Sequence, residues 1–137
     1  MTEITDLMTE HPRTISTDSS IVDAAKLMRE EDAGVAPITD GDRLVGVVTD
    51  RDIAVRVVAE GKDPASTKVE EIASKKLVTI DPQQDLDEAL RLMASHQVRR
   101  LPVVSEDGKL IGILAQADVA RHADSESTGH VVGRISE

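Results

Sequence analysis

The sequence predicts an α/β fold built from two copies of one β-α-β-β-α unit, and three observations carry that prediction. Gly46-Val47-Val48-Thr49-Asp50-Arg51-Asp52 in the first half is echoed by Gly112-Ile113-Leu114-Ala115-Gln116-Ala117-Asp118 in the second. Landmarks recur at a fixed offset: Thr14-Ile15, Ala24, Leu27, Met28 and Pro37 each return 65 residues later as Thr79-Ile80, Ala89, Leu92, Met93 and Pro102. The offset is 66 for Leu44, Gly46, Asp52 and Ala54 against Leu110, Gly112, Asp118 and Ala120. One residue is therefore inserted in the turn around Ser105–Lys109, where insertions are tolerated. Within each copy the apolar residues change from strand to helix spacing and back. Two copies at so long a period suit a duplicated domain closing on itself rather than an extended array. Each copy alone is near the size at which a single core is marginal, so a shared buried interface is expected.

The elements follow in order. Thr14-Ile15-Ser16 is a short extended piece. Ile21, Ala24, Ala25, Leu27 and Met28 recur at three- and four-residue spacing and predict a helix over about 20–31. Asp18-Ser19-Ser20 offers caps for it, and Asp23 places an acid near its positive end. Val35-Ala36-Pro37-Ile38 reads as a strand whose proline belongs at an edge or where the strand opens. Leu44-Val45-Gly46-Val47-Val48 is nearly continuous in apolar residues, which predicts burial on both faces. A second helix is expected over about 51–58. The second copy repeats the order: Leu77–Ile80 extended, a helix over 85–95, strands over 100–104 and 109–114, and a helix from Gln116. Ile4–Glu10 and Val69–Ala73 read as short helical lead-ins. The repeats are placed at residues 1–59 and 69–122, joined by a polar linker at 60–68 and followed by a partly disordered tail at 123–137.

Composition narrows the function. Phe, Tyr and Trp are absent, so the core must be aliphatic, and any bound base must lie between aliphatic side chains. With 26 acids against 16 bases the net charge is −10, which argues against a nucleic-acid backbone as partner. The absence of Cys excludes a disulfide framework and a thiolate nucleophile. No apolar run has the length of a membrane span. Met1-Thr2-Glu3-Ile4 is acidic and lacks an apolar signal core, so a cytoplasmic location is expected.

The chemistry concentrates at the doubled motif. A strand, Gly46, and a helix start at Thr49 expose unpaired N–H groups that favour an anion. The Thr49 hydroxyl can cap the helix, bond a phosphate oxygen, or do both in turn. Asp52, in the first turn, can accept from both hydroxyls of a ribose. The same pair also has the spacing of a capping box, with no ligand needed. The second copy keeps Asp118 but has Ala115 in place of the threonine. Losing one hydrogen bond to a charged group, worth roughly 1.5–3 kcal/mol, would weaken that site about tenfold to a hundredfold.

With these residues the chain resembles a tandem pair of CBS (cystathionine-β-synthase) domains, a stand-alone Bateman regulatory module. The resemblance runs from about Leu7 to Arg121 and includes Leu7-Met8-Thr9, Asp23–Met28, Ala36-Pro37-Ile38, Leu44–Ile53 and His96–Val103. The family's adenosyl motif is glycine, an aliphatic, any residue, Thr or Ser, two of any kind, then Asp, and Gly46–Asp52 fits at every position. The resemblance implies that Thr49 meets phosphate or ribose, that Asp52 holds the ribose hydroxyls, and that Thr14, Ala36, Pro37 and Ile38 surround the base. It also implies two repeats packed sheet to sheet about a pseudo-twofold axis, and pairing of two chains into a flat disk. Val55, Val57, Val58, Val119 and Ala120 are the candidate contacts for that homodimer.

Arg51, Arg99 and Arg100 are candidate phosphate partners, because arginine recognises phosphate with a planar fork. Each is equally readable as a surface ion pair in an acidic protein. His96 and His122 read as caps at helix ends, with a shared divalent metal such as zinc as the sharper alternative. No nucleophile elbow, P-loop, zinc-protease motif or GxGxxG is present, so no catalytic residue is assigned and an enzyme is not expected. The expected function is regulatory binding of an adenosine-containing ligand of the AMP, ADP or ATP class, with no required cofactor and no membrane partner. The alternative is a ligand-independent stress-response protein that docks an unidentified partner protein through the disk surface.

Overall fold

The computed structural model describes residues 2–75 and 77–126. The chain divides into two compact units that cut across the sequence repeats. One holds Arg13–Leu77 with Gly108–Leu110. The other gathers the N-terminal segment through Pro12 with Val78–Asp107 and the chain from Ile111 onward.

The Arg13–Leu77 unit contains a three-stranded sheet ordered β2 (Ile15–Ser16), β3 (Val35–Asp40), β4 (Arg43–Thr49). β2 runs parallel to β3, and β3 antiparallel to β4. Helix α2 (Ile21–Glu31) starts at a full capping box: the Asp23 N–H donates to Ser20 Oγ at 3.1 Å, and the Ser20 N–H to Asp23 Oδ2 at 3.4 Å. It ends at Asp32 in the left-handed region, φ 50°. Its Ile21, Ala24, Leu27 and Met28 pack with Ala36, Ile38 and Val48 of the sheet. Full burial of a valine, leucine, isoleucine or methionine side chain stabilises the fold by roughly 1.5–3 kcal/mol, and that of an alanine by less. Helix α3 (Asp50–Ile53) follows β4 directly and continues as a π-helical stretch, Ala54–Val58, which buries Val57 and leaves Val55 and Val58 outside. Helix α4 (Val69–Ile72) also belongs to this unit and closes the core with Val69 and Ile72. The segment before it turns around Asp63, whose carbonyl accepts from the Thr67 N–H and hydroxyl.

The other unit has a sheet ordered β1 (Thr9–Glu10), β6 (Leu110–Ala115), β5 (Arg100–Val104). Helices α1 (Ile4–Leu7), α5 (Leu86–His96) and α6 (Gln116–Glu126) complete it. Asp85 Oδ1 caps α5 by accepting from the Glu88 N–H at 2.8 Å. The core is aliphatic: Ile4, Ile80, Ala89, Met93, Leu101, Val103, Leu114 and Val119.

Several expectations need correction. The lead-in at Ile4–Glu10 is helical only to Leu7; Thr9 and Glu10 form β1, because the edge of β6 offers Ile113 and Gly112 as partners. Leu77–Ile80 forms no strand beyond a single parallel bridge from Ile80 to Val103. β4 is not buried on both faces: Gly46 and Val48 point inward, whereas Val45 is 37% exposed. Pro37 lies in the central strand, but at the point where the sheet is open. The β2 ladder begins at Ile38, so nothing in β2 needs the N–H that Pro37 lacks. Val57 and Val119 are core residues, at 0% and 2% exposure, and are unavailable as dimer contacts. α6 runs to Glu126, so the helix extends into the expected tail; residues 127–137 lie outside the described residues.

Candidate functional site

The sheet topology gathers one end of the Arg13–Leu77 unit. β4 finishes at Thr49, opposite Val35 at the start of β3. β2 is parallel to β3, so its own start, beside Thr14, lies toward the same end. Two strand spacings separate β2 from β4, about 10 Å. Thr14, Pro37 and Thr49 thereby lie toward one end of one sheet, with Asp52 on the helix that leaves it.

At Thr49 the backbone passes from strand to helix. The Asp50 N–H donates to the Gly34 carbonyl at 3.0 Å, which ties the helix start to the residue before β3. Thr49 and Asp52 form a complete capping box: the Asp52 N–H donates to Thr49 Oγ1 and the Thr49 N–H to Asp52 Oδ2, each at 3.0 Å. The ligand-free role that the spacing allowed is therefore realised. It leaves two polar atoms over. Thr49 Oγ1 accepts the capping bond and still carries a hydroxyl hydrogen to donate. Asp52 Oδ1 has no hydrogen bond among the described residues. Both side chains are half-buried.

Gly46 has a packing role that the motif alone did not reveal. A side-chain carbon there would stand 3.2 Å from the Ser74 carbonyl oxygen. The Val47 N–H donates to that carbonyl at 3.1 Å, and the Ser74 N–H returns to the Val47 carbonyl at 2.9 Å. Gly46 thus admits the backbone after α4 to the side of β4. Gly112 does the same for β1, where a side-chain carbon would run into Met8 Sδ and stand 3.0 Å from the Thr9 carbonyl. A glycine inside a strand is the sequence signal for such an approach.

The remaining candidates fall into place unequally. Ala36 and Ile38 point into the aliphatic core, so only their backbone atoms can meet a ligand; Pro37, between them, takes the other face. Thr14 is exposed and accepts a hydrogen bond from the buried Thr39 hydroxyl at 3.2 Å, a contact that sequence reasoning missed. Arg13 is engaged by Glu30 at 2.7 Å, and this bond holds the Glu30 carboxyl below its ordinary value. Arg51 stands on α3 beside Asp52, and its guanidinium makes no hydrogen bond or ion pair among the described residues.

Asp118, Arg99 and Arg100 belong to the other unit. There the Gln116 N–H donates to the Arg99 carbonyl at 2.8 Å, repeating the Asp50–Gly34 bond. Ala115 offers no hydroxyl, and the Asp118 carboxylate is paired with Arg121 one turn later. The Arg99 and Arg100 guanidinium groups are unpaired among the described residues. His96 ends α5, and His122 lies within α6 rather than at its end. Among the described residues no three His, Cys, Asp or Glu side chains converge as a metal site. Among them, too, no helix is long and apolar enough to cross a membrane.

Comparison with known proteins agrees with this architecture. The CBS domain model matches residues 4–59 and 69–125. The CBS domain-containing protein YhcV of Bacillus subtilis is 40% identical over 137 residues, covering 99% of this chain and 96% of the relative. The crystal structure of Hypoxic Response Protein I with two coordinated zinc ions superposes with a TM-score of 0.81 at 40% identity, covering 88% of this chain and 98% of that one. CBSX2 in complex with AMP superposes with a TM-score of 0.77 at 29% identity, covering 90% and 96%. With two matched repeats and relatives aligned along nearly its whole length, the chain belongs to the CBS domain family.

Proposed function

We propose that this protein is a non-catalytic regulatory module that binds an adenosine-containing ligand of the AMP, ADP or ATP class at the Thr49–Asp52 end of the first sheet. The observation that carries the reading is the capping box with its two spare atoms. A donor hydroxyl and a carboxylate oxygen with no hydrogen bond among the described residues stand within one helical turn, whereas the N–H groups of Thr49, Asp50, Arg51 and Asp52, expected to be open to an anion, already donate to Asp52, Gly34, Asp50 and Thr49. The hydroxyl suits a phosphate oxygen, and the carboxylate suits a ribose hydroxyl. Arg51, on the same turn and unpaired among the described residues, adds a cation near the phosphate. Support also comes from a structural relative, CBSX2, which is described in complex with AMP. A ligand of this class can regulate only to the extent that it prefers one conformation of the chain.

A second reading is favoured by a separate observation. Val55 and Val58 are 48% and 68% exposed on the helix that follows Asp52. Such a pair suits pairing of two chains, or docking of a partner protein without any ligand. Calorimetric titration with AMP and ATP separates the two readings. Heat of binding that falls at least tenfold in affinity in Asp52→Ala supports the nucleotide reading. Absence of heat with either nucleotide overturns it in favour of the docking surface.

A further inference from the structure

We propose that Thr39 is a positioning residue for the nucleotide site: its buried hydroxyl holds the Thr14 oxygen so that the Thr14 hydrogen points outward, to an acceptor on the ligand. The inference rests on the adenosine-site reading given above. Thr39 is 8% exposed, and it and Thr67 are the buried polar residues among those described. Thr67 has a structural task, donating to the Asp63 carbonyl at 2.8 Å. Thr39 instead donates to Thr14 Oγ1 at 3.2 Å, an exposed hydroxyl on the neighbouring strand. Burying a hydroxyl is costly unless it is bonded, so the Thr39 hydroxyl depends on its bond to Thr14.

The second repeat shows that the fold does not need it. Ile15 pairs in parallel with Ile38, and Ile80 with Val103, so the two repeats share one register at this point. The next residues are Thr39 and Val104, and the preceding ones are Thr14 and Thr79. The second repeat thus keeps the outer threonine and replaces the inner one with an aliphatic residue. Thr79 makes no side-chain hydrogen bond among the described residues. The repeat lacking the inner hydroxyl is also the one with Ala115 in place of Thr49, so both hydroxyls occur together in one repeat.

A threonine hydroxyl has one hydrogen and two lone pairs. When Thr39 donates to the Thr14 oxygen, the Thr14 hydrogen is left to point elsewhere. The β-bulge beside this bond, where the register slips between Ile38 and Thr39, is the kind of irregularity that re-aims side chains near binding sites. Thr14 stands level with Pro37, two strand spacings across the sheet and two residues along it from Thr49, roughly 12 Å, a distance that a nucleotide can bridge.

The test is calorimetric titration of AMP and ATP into the full chain carrying Thr39→Val, Thr39→Ser, Thr14→Val, and Thr14→Val with Thr39→Val together, each with a ligand-free melting curve. Thr39→Val is expected to lower affinity about three- to tenfold while the ligand-free melting temperature stays unchanged or rises. Thr39→Ser should recover most of the affinity, and the double variant should bind no more weakly than Thr14→Val alone. Wild-type affinity in Thr39→Val, or full additivity of the two valine substitutions, overturns the positioning role while leaving the site reading intact. A wild type that binds neither nucleotide overturns the site reading, and this inference with it.

Discussion

The two helix starts, at Thr49 and at Ala115, share a backbone but not a chemistry. Each donates a backbone hydrogen bond to the residue before the neighbouring strand, the Asp50 N–H to the Gly34 carbonyl in one and the Gln116 N–H to the Arg99 carbonyl in the other. Each follows a strand whose glycine admits a neighbouring backbone, Gly46 for Ser74 and Gly112 for Thr9. The acids then diverge. Asp52 folds back on Thr49 and keeps one oxygen spare, whereas Asp118 is drawn to Arg121. What is common to both copies builds the unit. What only the first copy has is the Thr49 hydroxyl, which caps the helix and keeps a hydrogen to donate, and the Thr39 hydroxyl, buried and bonded to Thr14.

The largest effect that can break this comparison is on binding. Asp52→Ala should cost tenfold to a hundredfold in adenosine-ligand affinity, the loss of about one charged hydrogen bond, whereas Asp118→Ala should change it less than twofold. Next come the shared glycines. Gly112→Ala and Gly46→Ala should each destabilise by about 1–3 kcal/mol through overpacking, read from urea unfolding. Gly112→Ala should be the worse, since the backbone carbonyl it faces is nearer, 3.0 Å against 3.2 Å. Equal stability to wild type in both would show that the close approach of backbones is not what these glycines provide. Ala115→Thr should then raise stability by about 0.5–1 kcal/mol by restoring an N-cap. The smallest effect is expected at the far ends of the other helices. Asp32 and Gln97 both hold positive φ, at 50° and 54°. Gln97→Gly should raise the melting temperature by a few degrees, because glycine occupies this region without strain.

Much of the first copy's chemistry was legible in the sequence because it is local. A capping box spans three residues, and its threonine and acid can be read directly. The strands and long helices were legible through their apolar spacing. The assignment of segments to units was not. α1 and β1 open the first repeat, yet they pack with the second repeat's strands; α4 opens the second repeat and closes the first repeat's core. Nothing local in so few residues states which sheet edge they will meet, and Gly46 and Gly112 were the only hints. Burial of β4 on one face rather than two was hidden for a similar reason: valine reads the same on either face. The Thr14–Thr39 bond joins residues on different strands, yet setting Thr39 against Val104 in the aligned copies would have marked it.

The claim that one copy carries a working site and the other only its scaffold is tested most directly by the stoichiometry of AMP binding to the wild-type chain, measured calorimetrically beside Asp52→Ala and Asp118→Ala. The account predicts one tight equivalent per chain, lost in Asp52→Ala and retained in Asp118→Ala. Two equivalents of equal affinity, or one that survives Asp52→Ala and vanishes in Asp118→Ala, would contradict it.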